Sequence, residues 1–248
     1  MSYVERSLSI IEYLKKNKTA TVEELASTLY VSAATIRRDL TEMQKMGQIQ
    51  RSHGGAVLVE DSDEISIFVR QIKNAKEKER TAAVALKRLP EFSTVFIDNS
   101  STCLALAERM NFARKTVVTN GLQVAMSVAR HDGATLIMPG GEIKYNTTAV
   151  LGSATVQMLN NLRFDLALIS CSALDGDGCY EVSLDTMQIK KIALGNSKKK
   201  ILLFDKTKVG TTAPFRTAEL SFFDALITNA DDAELAPLKK TGVEIINR

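Results

Sequence analysis

The 248-residue chain has no tryptophan, two histidines, three cysteines and four prolines. Each scarcity removes a class of protein. His53 and His131 stand at no metal-ligand spacing from Cys103, Cys171 or Cys179, so no zinc site is expected and no metal or cofactor is assigned. Three scattered cysteines are an odd number without a framework of pairs, the usage of a reducing, cytoplasmic setting. No apolar run is long enough to span a bilayer, and the first residues lack the apolar core of a signal peptide, so no membrane partner is expected. The net charge is only +3, too small for a broad basic field. Any nucleic-acid binding must therefore rest on local basic groups and on repetition of the site in a homodimer or homotetramer. Internal repeats and low-complexity tracts are also missing.

What remains is ordinary globular usage, 45% hydrophobic and 25% charged. The length suits two domains, one small and one of ordinary size. The most informative stretch runs from Thr21 to Ala56. Leu8, Ile10, Ile11 and Leu14 recur at helical intervals ahead of it, and Lys15-Lys16-Asn17-Lys18 is a polar break. Thr21 and Glu24 have the spacing of a capping box, and Val22, Leu25, Ala26 and Leu29 form the inner stripe of a second helix. Tyr30-Val31-Ser32 is the turn. Ser32 caps a third helix whose apolar face is Ile36, Leu40 and Met43, and Gly47 suits the left-handed residue that ends it. Gln48 to Arg51 then alternates like a strand, His53-Gly54-Gly55 turns, and Ala56 to Val59 returns.

This is the layout of a winged helix-turn-helix, which sets its second motif helix in the DNA major groove. Ala33, Ala34 and Thr35 are small, so the start of that helix can approach base edges. Thr35, Arg37 and Arg38 then lie near the groove, and Arg51 and His53 sit on the wing facing backbone or minor groove. Either arginine can grip guanine bidentately or bind phosphate. A basic amphipathic helix is usually a solvated face, and winged helices also serve in protein interactions. Here spacing, caps and wing agree on double-stranded DNA as the partner.

The run VSAATIRRDL, followed by Arg51-Ser52-His53-Gly54-Gly55-Ala56, resembles the amino-terminal signature of the DeoR family of bacterial transcriptional regulators. The similarity continues through Phe68-Val69-Arg70 and Glu77 to Arg80 and covers almost the whole chain. The first motif is highly specific; the later matches are individually looser.

The boundary falls in a polar, charged stretch. The expected organisation is a winged helix-turn-helix over residues 1–60, a connector over 61–78 and an α/β effector-sensing domain over 79–248. From Thr81 onward, strand-like runs alternate with helical patterns: 94–97, 116–118, 134–138, 166–169, 201–204, 225–227 and 243–246. Continuous apolar strands separated by helices predict a largely parallel sheet covered on both faces. Ligands bind such sheets beyond the carboxyl ends of the strands. Those ends carry Asp98-Asn99-Ser100-Ser101-Thr102, then Thr119-Asn120-Gly121, then Pro139-Gly140-Gly141-Glu142, then Asp205-Lys206-Thr207-Lys208. Hydroxyls, free amides and a lysine suit a small anion. One such loop is more often a cap than a site; four at one edge point to a ligand.

The resemblance sharpens the assignment. It implies a carboxyl-terminal domain similar to ribose-5-phosphate isomerase that senses a phosphorylated sugar or related metabolite. On it, Asp98 to Thr102 matches a phosphate loop, with Ser100 where glycine is more usual. Thr119-Asn120 and Gly140-Gly141 match further ligand loops, and Gly152 a glycine that follows. Asp175 matches a pocket loop, Lys190 a helix lysine, and Lys208 rather than Lys206 the lysine of an Asp-x-x-Lys pattern. An isomerase would need a positioned carboxylate. The segment matching the helix that carries it reads Thr186-Met187-Gln188-Ile189-Lys190-Lys191, without an acid, so no catalytic residue is assigned. Asp175-Gly176-Asp177-Gly178 begins like a calcium loop but lacks its later glutamate and reads as a plain turn. The expected function is a cytoplasmic regulator, a repressor of a sugar-metabolism operon released by a phosphorylated sugar; the competing reading is an isomerase-like enzyme with an appended DNA-binding domain.

Overall fold

The computed structural model describes residues 1–45, 48–52, 54–58, 66–238 and 241–248. Gly47, His53, Val59 and the acidic run from Asp61 to Glu64 lie outside the described residues. The chain divides into two compact units, Met1–Lys73 and Asn74–Arg248. Within the stretch read as a connector, the described residues include one helix, Ile67–Ile72, and the start of another at Ala75, on either side of that division.

The first unit runs α1 (Tyr3–Asn17), β1 (Thr19–Thr21), α2 (Val22–Leu29), α3 (Ala33–Lys45), β2 (Ile49–Ser52), β3 (Gly55–Leu58) and α4 (Ile67–Ile72). The helix starts are fixed locally. Ser2 with Glu5, and Thr21 with Glu24, form reciprocal capping boxes, and Ser32 accepts from the Thr35 amide at 3.2 Å. Ile10, Leu14, Leu25, Ile36, Leu40, Met43 and Ile49 then meet in one apolar core with Val69 of α4. The wing has a third strand that the alternation did not reveal: β1 pairs with β3, giving the order β1-β3-β2.

The second unit begins with α5 (Ala75–Leu86), β4 (Thr94–Ile97), α6 (Ser101–Ala107), β5 (Thr116–Thr119), α7 (Leu122–Val128) and β6 (Thr135–Ile137). It continues through β7 (Glu142–Lys144), β8 (Ala149–Leu151), α8 (Ser153–Asn160), β9 (Phe164–Ser170), β10 (Ala173–Leu174) and β11 (Cys179–Glu181). It closes with α9 (Leu184–Gly195), β12 (Ser197–Phe204), β13 (Phe215–Ala218), β14 (Ala225–Thr228) and β15 (Glu244–Ile246). Seven strands make a parallel sheet in the order β15-β14-β12-β9-β4-β5-β6, the expected α/β architecture. Side chains alternate across it with period two. Phe96, Ala167, Ile169, Leu202 and Phe204 face α8 and α9, while Val95, Ile97, Leu166, Leu168 and Leu203 face α5, α6 and α7. Each fully buried large side chain contributes about 1.5–3 kcal/mol. Hydrophobicity on both faces is why these strands read as continuous apolar runs.

The strand order sets the site. From β4 the chain moves outward through β5 and β6, then returns to β9 on the other side of β4 and proceeds through β12, β14 and β15. The connections diverge between β4 and β9, and such a switch point opens a crevice beyond the carboxyl ends.

Candidate functional site

In the first unit the polar face of α3 is presented to solvent. Ile36, Asp39, Leu40 and Met43 are buried, which leaves Ala34, Arg37, Arg38 and Thr41 exposed as a stripe at helical spacing. Ser32 and Thr35 share a hydroxyl contact of 2.9 Å at the helix start, and Ala33 beside them is half-buried. Arg37 reaches Glu23 of α2 at 3.5 Å, an exposed contact that a ligand can displace cheaply. Arg51 on β2 is steered toward α3 by a 3.2 Å bond to the Thr41 hydroxyl. The helix is held from behind. Arg6 of α1 grips Asp39 through two bonds, 2.6 and 3.0 Å, with Asp39 only 1% exposed. The sequence reading did not pick out this pair, because an acid beside two arginines looks like surface charge.

In the second unit the switch point is closed by a buried charge cluster. Asp98 directly follows β4 and is fully buried. Its Oδ1 accepts from the Ser100 amide and its Oδ2 from the Ser170 amide at the end of β9, each at 2.9 Å. Lys190 of α9, also buried, sets its ammonium 2.9 Å from Asp98 and 2.5 Å from Glu181, and donates to the Ser170 carbonyl at 2.8 Å. The other Glu181 oxygen accepts from the Ser172 hydroxyl at 2.7 Å. Burial alone would push the Asp98 carboxyl up. The lysine charge and the donors at Ser100 and Ser170 outweigh it and hold the group below its ordinary value. Burial would likewise lower Lys190, but Asp98 and Glu181 raise it, so the ammonium stays charged. Lys190 thus spends its three protons inside the protein and positions Asp98. Glu181 was missed by the sequence reading; nothing in the run Cys-Tyr-Glu separates a buried carboxylate from an exposed one. Both its oxygens are engaged, so it offers no free base, and the helix segment Thr186 to Lys191 carries no acid.

Around this cluster lie polar groups that are buried and yet lack hydrogen-bond partners among the described residues. They are Asn99 Nδ2, Asn120 Oδ1, Thr147 Oγ1, Thr186 Oγ1 and Asp205 Oδ2. The loops that carry Asn99, Asn120 and Thr147 touch. A Cβ on Gly121 would come within 2.7 Å of the Asn99 Cα, so glycine there lets the β4 and β5 loops meet. The β7–β8 hairpin, unforeseen in the sequence, is stitched to the same place: Val150 donates to the Asn120 carbonyl at 2.7 Å and Leu122 to the Thr148 carbonyl at 3.0 Å. At its base Gly140 accepts from the Thr155 hydroxyl at 2.8 Å, and Gly141 has φ +151° with no room for a side chain. Gly152, beyond the hairpin, starts α8 with φ +98°.

The remaining predicted residues have definite places. Ser100 caps α6 through the Cys103 amide at 3.1 Å, and Ser101 and Thr102 fill the buried first turn. The Thr119 hydroxyl accepts from the Gly121 amide at 3.0 Å. Lys206 is exposed and lies 3.5 Å from Glu234, whereas Lys208 is half-buried and its charge acts on Cys171, just past β9. Asp205 gives one oxygen to the Thr207 amide and hydroxyl. Asp175 is drawn into its own turn, where Oδ1 accepts from Asp177, Gly178 and the Tyr180 hydroxyl at 2.9, 3.2 and 3.0 Å. A second buried lysine, Lys78 of α5, was not assigned from the sequence. It lies one turn before Thr81, whose hydroxyl meets Asn229 Oδ1 at 3.2 Å beyond β14, so the start of α5 overlies the same edge.

Two open clefts lie elsewhere. One of about 580 Å³ borders Arg88, Lys199, Asp224 and Arg248, toward the opposite edge of the sheet, and one of about 370 Å³ lies between α9 and β13. Neither includes a switch-point loop. The candidate site is the carboxyl edge, where the Asn99, Asn120, Thr147, Thr186 and Asp205 atoms lacking partners gather beside the Asp98–Lys190 cluster; cleft volume alone does not specify a ligand. Among the described residues no cluster of His, Cys, Asp and Glu is arranged to hold a metal, and no helix is long and apolar enough to cross a membrane.

An exposed polar face on the second helix of a helix-turn-helix, and a separate α/β unit whose switch point gathers buried polar groups, define the architecture of a two-domain transcriptional regulator. Residues 6–62 match the DeoR-like helix-turn-helix domain and residues 73–230 the DeoR C terminal sensor domain. The chain belongs to the DeoR family of transcriptional regulators and is a regulator, not an enzyme. It is 32% identical to the glycerol-3-phosphate regulon repressor of Escherichia coli (strain K12), over 93% of this chain and 92% of that one. It is 30% identical to the lactose phosphotransferase system repressor of Staphylococcus aureus (strain N315), with both chains covered fully. Against the HTH-type transcriptional repressor GlcR of Bacillus subtilis (strain 168) the identity is 28%, over 98% of this chain and 95% of that one. Among solved structures, ribose 5-phosphate isomerase A of Methanocaldococcus jannaschii aligns over 55% of each chain at 13% identity and a TM-score of 0.40, a likeness too distant to carry an argument.

Proposed function

We propose that the chain represses a sugar-metabolism operon and is released from its operator by a phosphorylated sugar or polyol bound at the carboxyl edge of the seven-stranded sheet. The observation that carries this reading is the set of buried, unpartnered polar atoms on Asn99, Asn120, Thr147, Thr186 and Asp205. An unsatisfied buried donor or acceptor costs about 1–3 kcal/mol, and a hydroxylated ligand that supplies the missing bonds recovers that cost. The set mixes donors with acceptors, including a carboxylate oxygen, which suits a ligand with hydroxyls as well as a phosphate. The phosphate contacts are assigned to Ser101, Thr102 and the first-turn amides of α6, with Lys208 supplying charge. Asp98, Asn99, Ser100, Thr119, Asn120, Gly140 and Gly141 shape the pocket, and Lys190 holds Asp98. Asp175 bounds it through the β10–β11 turn. The names of the relatives support the class, since two of them speak of a glycerol-3-phosphate regulon and a phosphotransferase system.

On the DNA side, Ser32, Ala33, Thr35, Arg37, Arg38 and Arg51 carry the contacts, together with His53, which lies outside the described residues. The regulator works in the cytoplasm as a homodimer or homotetramer, which multiplies a local basic surface that the net charge of +3 leaves weak. The functional domains follow residues 1–60 and 79–248 with 61–78 between them. Ligand and operator are linked, so a ligand that favours the DNA-incompetent state is itself bound less tightly on DNA, by the same factor. The test is a thermal-shift panel of triose, pentose and hexose phosphates and glycerol-3-phosphate, each beside its unphosphorylated parent and inorganic phosphate. A ligand at about 100 times its Kd stabilises the folded chain by roughly 2.7 kcal/mol. A phosphorylated member should shift the transition while its parent does not; a panel with no shift refutes the reading.

A further inference from the structure

Tyr30 is the most exposed large hydrophobic side chain among the described residues, at 95% of its full accessible surface. It is also held in an unfavourable backbone conformation, φ 55° and ψ 43°, where it closes α2 through its amide to the carbonyls of Ala26 and Ser27. Helices that end this way usually place glycine, sometimes asparagine, in the left-handed position. A bulky residue there is an outlier, and its phenol recovers nothing by packing. Strain of this kind marks functional positions when the surroundings impose it. Here they do: the Val31 amide continues the cap to the Ala26 carbonyl at 3.1 Å, and Ser32 follows at once as the cap of α3.

The position says what the side chain meets. In a helix-turn-helix the first helix crosses the DNA backbone and the start of the second enters the groove, so the turn between them runs beside phosphates. Tyr30 sits in that turn, two residues before Ser32, next to the exposed stripe of Ala34, Arg37 and Arg38. Tyrosine hydroxyls are among the groups that bind DNA phosphate. We propose that Tyr30 is a DNA-contacting residue whose phenol donates a hydrogen bond to a backbone phosphate beside the recognition helix, fixing the register of α3 at a cost in fold stability. The inference rests on α3 being the reader.

The experiment uses the full chain and the duplex that wild type enriches from a randomised 30-bp library, with a scrambled duplex of the same composition. Tyr30→Gly removes the phenol at a position that glycine occupies without strain, so its melting temperature should match or exceed that of wild type. Its affinity should fall roughly tenfold on both duplexes, the size of one hydrogen bond to a charged group. Tyr30→Phe should lose most of the same factor. The slope of log affinity against log salt should not change, because a neutral phenol releases no counterion. Binding within twofold of wild type in either variant overturns the proposal, and so does a loss confined to the selected duplex. Arg37→Ala and Arg38→Ala serve as the reference. If they bind as wild type does, the reader assignment fails; if they weaken binding while the Tyr30 variants do not, only this inference fails.

Discussion

The two units of this chain handle polar side chains in opposite ways. In the amino-terminal unit the proposed contact groups point outward: Arg37 and Arg38 are exposed on α3, and Tyr30 is almost fully solvated. In the sensor unit they point inward, with Asp98, Asn99, Thr102, Thr119, Asn120 and Asp205 each at most 4% exposed. The difference follows from the partners. DNA is large and approaches a surface, so its reader needs a rigid frame with free side chains outside. A small metabolite is recognised by enclosure, so its sensor holds polar groups in the interior and tolerates some without partners until the ligand arrives. Each unit fixes its functional element with a buried ion pair. Arg6–Asp39 holds α3, and Lys190 with Asp98 and Glu181 holds the switch point.

The largest expected effect comes from removing the central cation of the sensor. Lys190→Met leaves two carboxylates buried without their counter-charge and should cost about 3–5 kcal/mol of sensor stability in urea titrations followed by circular dichroism. A loss below about 1 kcal/mol would show that the cluster is hydrated and the inward arrangement looser than described. Next come the outward groups. Arg37→Ala or Arg38→Ala should leave the melting temperature unchanged and weaken binding to the selected duplex by about 1–3 kcal/mol where a base contact is lost. A phosphate contact should instead reduce the salt slope by about one. Unchanged binding in both variants would remove α3 as the reader.

The smallest effect is acid sensitivity. In the sensor, Asp165 lies below the ordinary carboxylate range because Lys198 pairs with it and the Thr94 and Ser93 amides donate to it. In the amino-terminal unit, the Ser2 and Thr21 caps lower Glu5 and Glu24, both exposed. A carboxyl depressed by folding stabilises the protein above its unfolded value, about 4, and that stabilisation is lost as pH falls through the folded value. Thermal melts from pH 7 to pH 3 should therefore show Asp165→Asn flattening the acid limb more than Glu24→Gln. The reverse order would mean that exposed caps, not the carboxylate at the amino end of β9, govern acid stability.

Much of this fold is legible in the sequence because local physics writes it there. Thr21 with Glu24, Ser32 ahead of Ile36, and the apolar runs around Val95, Leu168 and Leu203 follow from capping geometry and two-sided burial. The parts that are not legible depend on partners distant in the chain. β1 is three residues long and exists through its pairing with β3. The β7–β8 hairpin is half exposed, with Ile143 and Tyr145 in solvent, and is set by its bonds to the Asn120 loop. Glu181, Lys78 and Asp39 read as surface charge because sequence does not record what lies opposite them. The loops Asp98 to Thr102 and Thr119-Asn120 were found from their place after strands, whereas the unpartnered atoms of Thr147, Thr186 and Asp205 emerge only from the packing.

The most direct measurement is occupancy of the selected duplex against concentration of the phosphorylated sugar that shifts the wild-type melt, followed by fluorescence anisotropy for wild type, Thr102→Ala and Lys208→Ala. Neither substituted residue lies in the amino-terminal unit, so all three chains should bind DNA equally without ligand. Wild type should release the duplex on addition of the phosphorylated compound and not of its parent. The variants should need more ligand, about tenfold or more for Lys208→Ala, where a charge-assisted contact of roughly 1.5–3 kcal/mol is lost. Release of both variants at the wild-type concentration would contradict the account and move the effector site away from the carboxyl edge of the sheet.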